Sequence, residues 1–114
     1  MFATLMGLKS MSCHDVNQLP PGQHAAIFDV NARSRWAAAH VPGARHLDPE
    51  GFSDADLPTA KDTLLVFYCS NVLCRKAPNA ARRAKANGYT NVRVMSAGIQ
   101  GWLNDGLPVE AGGQ

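Results

Sequence analysis

Cysteine is scarce in this sequence, net charge is small, and no hydrophobic run is long. Each shortage excludes something. Only Cys13, Cys69 and Cys74 occur among 114 residues, an odd and small number for a disulfide framework, so reduced thiols and a cytoplasmic setting are expected. No apolar run approaches membrane-spanning length, and the leading MFATLMGLKS lacks both a basic segment ahead of its apolar residues and a small-residue cleavage site. Neither a membrane partner nor a signal peptide is expected. A net charge of +2 is too small to argue for nucleic acid. His14, His24, His40 and His46 show no metal-site spacing with one another or with the cysteines, so no metal or other cofactor is expected.

What is present fits one α/β domain spanning 1–114, with its core at about 12–109 and a frayed tail from Glu110 to Gln114. Two continuous apolar runs, Ala25 to Val30 and Leu64 to Cys69, lack the alternation of a half-wet strand and read as central parallel strands. Shorter strands are expected at Val92 to Met95, near Ala44 to Leu47, and in the first dozen residues. Helices are expected at Asn31 to Ala39, from Pro78 to a left-handed stop at Gly88, and after Gly98 up to Gly106. In the second of these, Ala77, Ala80, Ala81 and Ala84 form a small-residue face for close packing on a sheet, leaving Arg82, Arg83 and Lys85 outside it. The last helix is expected to turn Ile99, Trp102 and Leu103 inward. Strands alternating with helices give an open parallel sheet of about five strands, with helices on both faces and ligands beyond the strands' carboxyl ends.

Cys69 ends the strongest strand, just before a helix. Loop amides and a helix N-terminus directed at a thiol there favour thiolate and an anionic substrate, predicting a lowered pKa. The charge distribution agrees in sign: from Ser70 to Leu107 the only acidic residue is Asp105, against Arg75, Lys76, Arg82, Arg83, Lys85 and Arg93. The alternative is a buried structural cysteine. Asp29 ends the neighbouring strand and is expected to order the following turn. His40 reads as a structural hydrogen bonder, and Trp36 and Trp102 as core or subunit contacts.

Three ordered stretches carry a family resemblance from about Ser12 to Val109. These are Phe28-Asp29-Val30 through His40-Val41-Pro42-Gly43-Ala44; Val66-Phe67-Tyr68-Cys69 with its loop, Ala80-Ala81 and Gly88-Tyr89; and Ala97-Gly98-Ile99-Gln100-Gly101-Trp102 with Gly106-Leu107-Pro108-Val109. Together they resemble the rhodanese homology domain. The resemblance implies a sulfurtransferase in which Cys69 takes a sulfane sulfur from a small anionic donor such as thiosulfate, becomes a persulfide, and passes the sulfur to a thiol or protein acceptor. It makes Cys69 the nucleophile and Ser70, Asn71, Val72, Leu73, Cys74 and Arg75 the substrate cradle, with Arg75 steadying the anion.

The chain departs from the family pattern at Asn31, where an arginine is usual, and at Arg35-Trp36, where an acidic-aromatic pair is common. Its loop, Cys69 to Arg75, reads C-x5-R without glycine, one residue longer than in family sulfurtransferases. That count resembles related cell-cycle phosphatases and arsenate reductases, so an oxyanion enzyme is a second reading, although those relatives usually carry His where this chain has Tyr68. Cys74 opens a third, as a resolving thiol in a sulfur-relay or redox-sensing module; otherwise it is a small packing residue. No catalytic role is expected for Cys13, and the oligomeric state is not legible.

Overall fold

The computed structural model describes residues 8–20 and 24–113. Most of the leading segment read against a signal peptide therefore lies outside the described residues, as does Gln114. The described chain runs β1 (Lys9–Ser10), α1 (Cys13–Asn17), β2 (Ala25–Asp29), α2 (Arg33–Ala38), β3 (Arg45–His46), a 3-10 turn (Asp54–Asp56), β4 (Leu64–Tyr68), α3 (Lys76–Ala86), β5 (Val92–Val94) and α4 (Gly98–Asn104). All pairings are parallel, in the order β1-β5-β4-β2-β3. The expected α/β sheet of five strands is the observed one. The short helix α1, capped by the Ser12 hydroxyl on the Asp15 amide at 3.0 Å, and the 3-10 turn were not expected.

The two apolar runs are the central strands β2 and β4, each ending one residue earlier than its run. Their register pairs Phe28 with Phe67 and Asp29 with Tyr68. Side chains of a strand alternate between faces, so β4 feeds two cores. Leu65, Phe67 and Cys69 face one cluster with the α3 alanines, while Val66 and Tyr68 face another with Cys13, Val16, Met95 and Trp102. Helices on both faces follow from this double burial.

Helix α3 starts at Lys76, two residues before the expected Pro78. The first amides of a helix have no intrahelical partner, so proline's missing N–H costs nothing in the first turn. Gly88 has the left-handed conformation expected of it, with φ at 100°. Ala77, Ala80, Ala81 and Ala84 are buried, which lets α3 approach β4 and β5 closely.

Other expectations are corrected. Leu103 is exposed, because Trp102 takes the inward position of α4. Arg83, exposed outside the alanine face, donates to the carbonyls of Pro49 and Phe52, both at 2.9 Å, and its guanidinium lies over the Phe52 ring. The tail bonds back to the chain as far as Gly112. Glu110 and His40 exchange backbone bonds at 2.8 and 2.9 Å, and the Gly112 amide reaches the Ala37 carbonyl at 2.7 Å.

The alanine face gives a stability prediction. Leucine at fully buried Ala80 overfills the space between α3 and the sheet, so Ala80→Leu is expected to lose about 2 kcal/mol in urea unfolding. An unchanged midpoint would contradict close packing of this helix.

Candidate active site

Cys69 follows β4 directly and is 3% exposed on the α3 side of the sheet. The pleat puts it there, and the start of α3 meets it. The Ser70 and Ala77 amides donate to its sulfur. Cys74, less buried, receives the amides of Ser70 and Lys76. The two thiols also hydrogen-bond to each other, with Cys69 as donor and Cys74 as acceptor.

That arrangement reverses one expectation. The Cys69 thiol is held above its ordinary range, chiefly by burial and then by donating to Cys74, with the two amides insufficient to compensate. Cys74 is the one lowered: burial pushes it up, but the Cys69 S–H and the surrounding amides outweigh this. Helix-start amides thus serve both sulfurs, and the easier thiolate belongs to the less buried one.

The remainder of the expected cradle is partly occupied by its own turn. Asn71 Oδ1 accepts the Leu73 amide at 2.9 Å and the Asn71 carbonyl accepts the Cys74 amide at 3.1 Å. This Asx-type turn leaves Val72 and Leu73 exposed at the tip and folds Cys74 back toward Ser70. Arg75 is exposed and is the N-cap residue of α3.

Below the loop, α4 holds Cys69 and Ser70 by their carbonyls, which accept the Ile99 and Gln100 amides, each at 2.9 Å. Gly98 makes this approach possible. Its φ is +67°, and a Cβ there would lie 2.6 Å from the Ser70 carbonyl carbon and 2.7 Å from the Cys69 oxygen.

A buried polar chain supports the loop from β2, and sequence reasoning saw only its Asp29 turn. Asp29 accepts the Tyr68 hydroxyl at 2.9 Å, the Asn31 amide at 2.8 Å and the Asn31 side-chain amide at 2.9 Å. The Ser70 hydroxyl donates to Asn31 Oδ1 at 3.1 Å, and His46 Nε2 lies 2.9 Å from the Asn31 carbonyl. Burial raises the Asp29 carboxyl despite these donors. Asn31, the departure from the family arginine, is therefore the link between β2 and the Cys69 loop. His40 is the structural residue expected, with Nδ1 2.7 Å from the Trp36 carbonyl. Cys13 lies in the cluster across the sheet from Cys69. A cleft of about 430 Å³ on that far side, lined by Val16, Ile27, Val41, Arg45 and Trp102 among others, includes no residue of the Cys69 loop.

Comparison with known proteins identifies this architecture. The Rhodanese-like domain family model matches residues 12–105, and the chain belongs to that family. The human thiosulfate:glutathione sulfurtransferase is 26% identical over 113 residues, covering 87% of this chain and 96% of that protein. A helix-turn-helix-type transcriptional regulator of Mycobacterium tuberculosis is 31% identical over 86 residues, or 75% of this chain, which spans only 38% of that regulator. A crystal structure of a Bacillus halodurans protein superposes with a TM-score of 0.81 at 19% identity, covering 90% of this chain and 77% of that one, and so shares the fold. Among the described residues no helix is long and apolar enough to cross a membrane.

Two predictions follow from the geometry. Gly98→Ala, with positive φ and a Cβ against the Ser70 carbonyl, should lose about 2 kcal/mol or more and slow Cys69 alkylation; wild-type stability and reactivity would refute the clamp. In Cys74→Ala, Cys69 loses the partner that raises it, so its thiolate absorbance should appear at lower pH than in the wild type. An unchanged or higher titration would show that Cys74 does not hold the Cys69 proton.

Proposed function

We propose that the protein is a sulfurtransferase that carries a sulfane sulfur on Cys69 as a persulfide. The observation that carries this reading is the position of Cys69, at the carboxyl end of a central parallel strand, with the Ser70 and Ala77 amides on its sulfur in a chain of the Rhodanese-like family. The sulfurtransferase relative supports the same chemistry.

The first step requires a Cys69 thiolate, whose proton passes to solvent. The freed thiolate keeps its two amide donors. It attacks the outer sulfur of thiosulfate, a sulfur–sulfur bond forms, and the bond inside thiosulfate breaks with its electron pair leaving on sulfite. Exposed Arg75 and Lys76 give the loop the sign that attracts an anionic donor. In the second step a nucleophilic acceptor, a thiolate or cyanide, takes the terminal sulfur and Cys69 leaves as thiolate. The donor's identity as thiosulfate, the acceptor as a small thiol or a protein, and a cytoplasmic setting are parts of this proposal.

The oxyanion reading rests on the seven-residue loop and Arg75. It is weakened by the amides of Leu73 and Cys74, which bond within the loop instead of facing an anion.

Incubation with thiosulfate and cyanide is the direct test. Thiocyanate is expected from the wild type and should fall to background in Cys69→Ser. No thiocyanate from wild type, or equal turnover in the variant, would overturn the proposal.

A further inference from the structure

The sulfurtransferase cycle leaves one nucleophile without a lasting task. Cys74 takes no part in it, yet its sulfur hydrogen-bonds to the sulfur that becomes the persulfide. The contact is built rather than incidental. The Asn71 turn folds the chain back through two bonds, at 2.9 and 3.1 Å, and Cys74 packs against the same core cluster that contains Cys69. The Lys76 and Ser70 amides are directed at the Cys74 sulfur. Cys13 cannot compete, because the sheet separates it from both.

We propose that Cys74 is an internal acceptor: it attacks Cys69 Sγ of the loaded persulfide, closes a Cys69–Cys74 disulfide, and expels the carried sulfur as hydrosulfide. This rests on the persulfide reading above and adds a reductive outcome to it.

The balance is complete for one turnover. Loading forms the bond from Cys69 to the sulfane sulfur and releases sulfite. In the second step the Cys74 thiolate supplies the electron pair for the new bond to Cys69 Sγ, and the persulfide bond breaks with its pair on the departing hydrosulfide. The two thiols are oxidised together by two electrons, and the sulfane sulfur is reduced to the sulfide level. One thiol hydrogen leaves with the hydrosulfide and the other goes to water. Hydrosulfide, the base of a stronger acid than an ordinary thiol, is a good leaving group. A second turnover requires an external thiol or dithiol to reduce the disulfide.

A burial difference favours this order of events. Cys69 is 3% exposed, whereas Cys74 is only partly buried, so a nucleophile already inside the loop reaches the inner sulfur more readily than one from solvent.

The test uses fully reduced protein, anaerobic, with stoichiometric thiosulfate and neither cyanide nor added thiol. Sulfite and trapped hydrosulfide are quantified, and the tryptic fragment 62–75, which holds both Cys69 and Cys74, is weighed. For wild type the expected hydrosulfide-to-sulfite ratio is near one, with the fragment two hydrogens lighter. In Cys74→Ser and Cys74→Ala the ratio should fall to background, with the fragment one sulfur heavier at Cys69. The ratio is counted per sulfite, so slow loading does not distort it, and the wild-type fragment decides the matter if the variants do not load. Wild type that releases sulfite but keeps the extra sulfur, without hydrosulfide, overturns the internal step alone. Wild type that releases no sulfite overturns the persulfide reading, and this step with it.

Discussion

Successive side chains of β4 must point to opposite faces of the sheet, and this alternation governs the rest of the site. With Leu65 and Phe67 committed to the α3 core, Cys69 has to emerge under the start of α3, while Tyr68 has to enter the opposite core. The alanine face of α3 then sets how near the helix start comes to the thiol, because a larger side chain at Ala77 or Ala80 would lift the helix and withdraw its first amides. The same alternation sends the Tyr68 hydroxyl to Asp29 on the adjacent strand, in register with it. One pleat therefore fixes both the thiol and the polar chain that braces its loop.

The loop is gripped from two sides by different chemistry. On one side α4 donates amides to the carbonyls of Cys69 and Ser70, using the space left by Gly98. On the other, Asn31 passes the hold of the buried Asp29 to the Ser70 hydroxyl. These contacts fix the backbone orientation of Ser70, whose amide serves both sulfurs. A residue between the two thiols thus has its carbonyl, hydroxyl and amide all committed.

Much of the fold was legible because double burial leaves a strong sequence trace. The runs ending at Val30 and Cys69 and the alanine spacing of α3 placed the sheet and the helix that matters most. Helix α1 was not legible, since a five-residue helix depends on tertiary burial of Cys13 and Val16 rather than on a periodic face. Proline misled by two residues at α3, because any first-turn position can do without an amide. At the site, Cys69 and the presence of Cys74 could be read from spacing, but the direction of the proton between them could not. It depends on which thiol loses more water, and that is a tertiary quantity. Asn31 carried a usable signal as a polar departure beside Asp29, although its bond to Ser70 joins residues far apart in sequence.

The extra residue of the loop has a physical consequence beyond its length. In a loop that cradles an anion, successive amides converge on the ligand and remain unpaired until it arrives. Here Asn71 takes up the Leu73 and Cys74 amides, and what the turn gains is the return of a second sulfur to the first. The loop thus replaces part of an anion nest with a thiol. The same return holds Cys69 above its ordinary thiol range, because burial and the hydrogen bond to Cys74 both favour its protonated form. The amides of Ser70 and Ala77 act in the opposite sense, already oriented toward a charge on that sulfur. Burial and the second sulfur thus act together to keep the Cys69 proton, and the loop amides act against them.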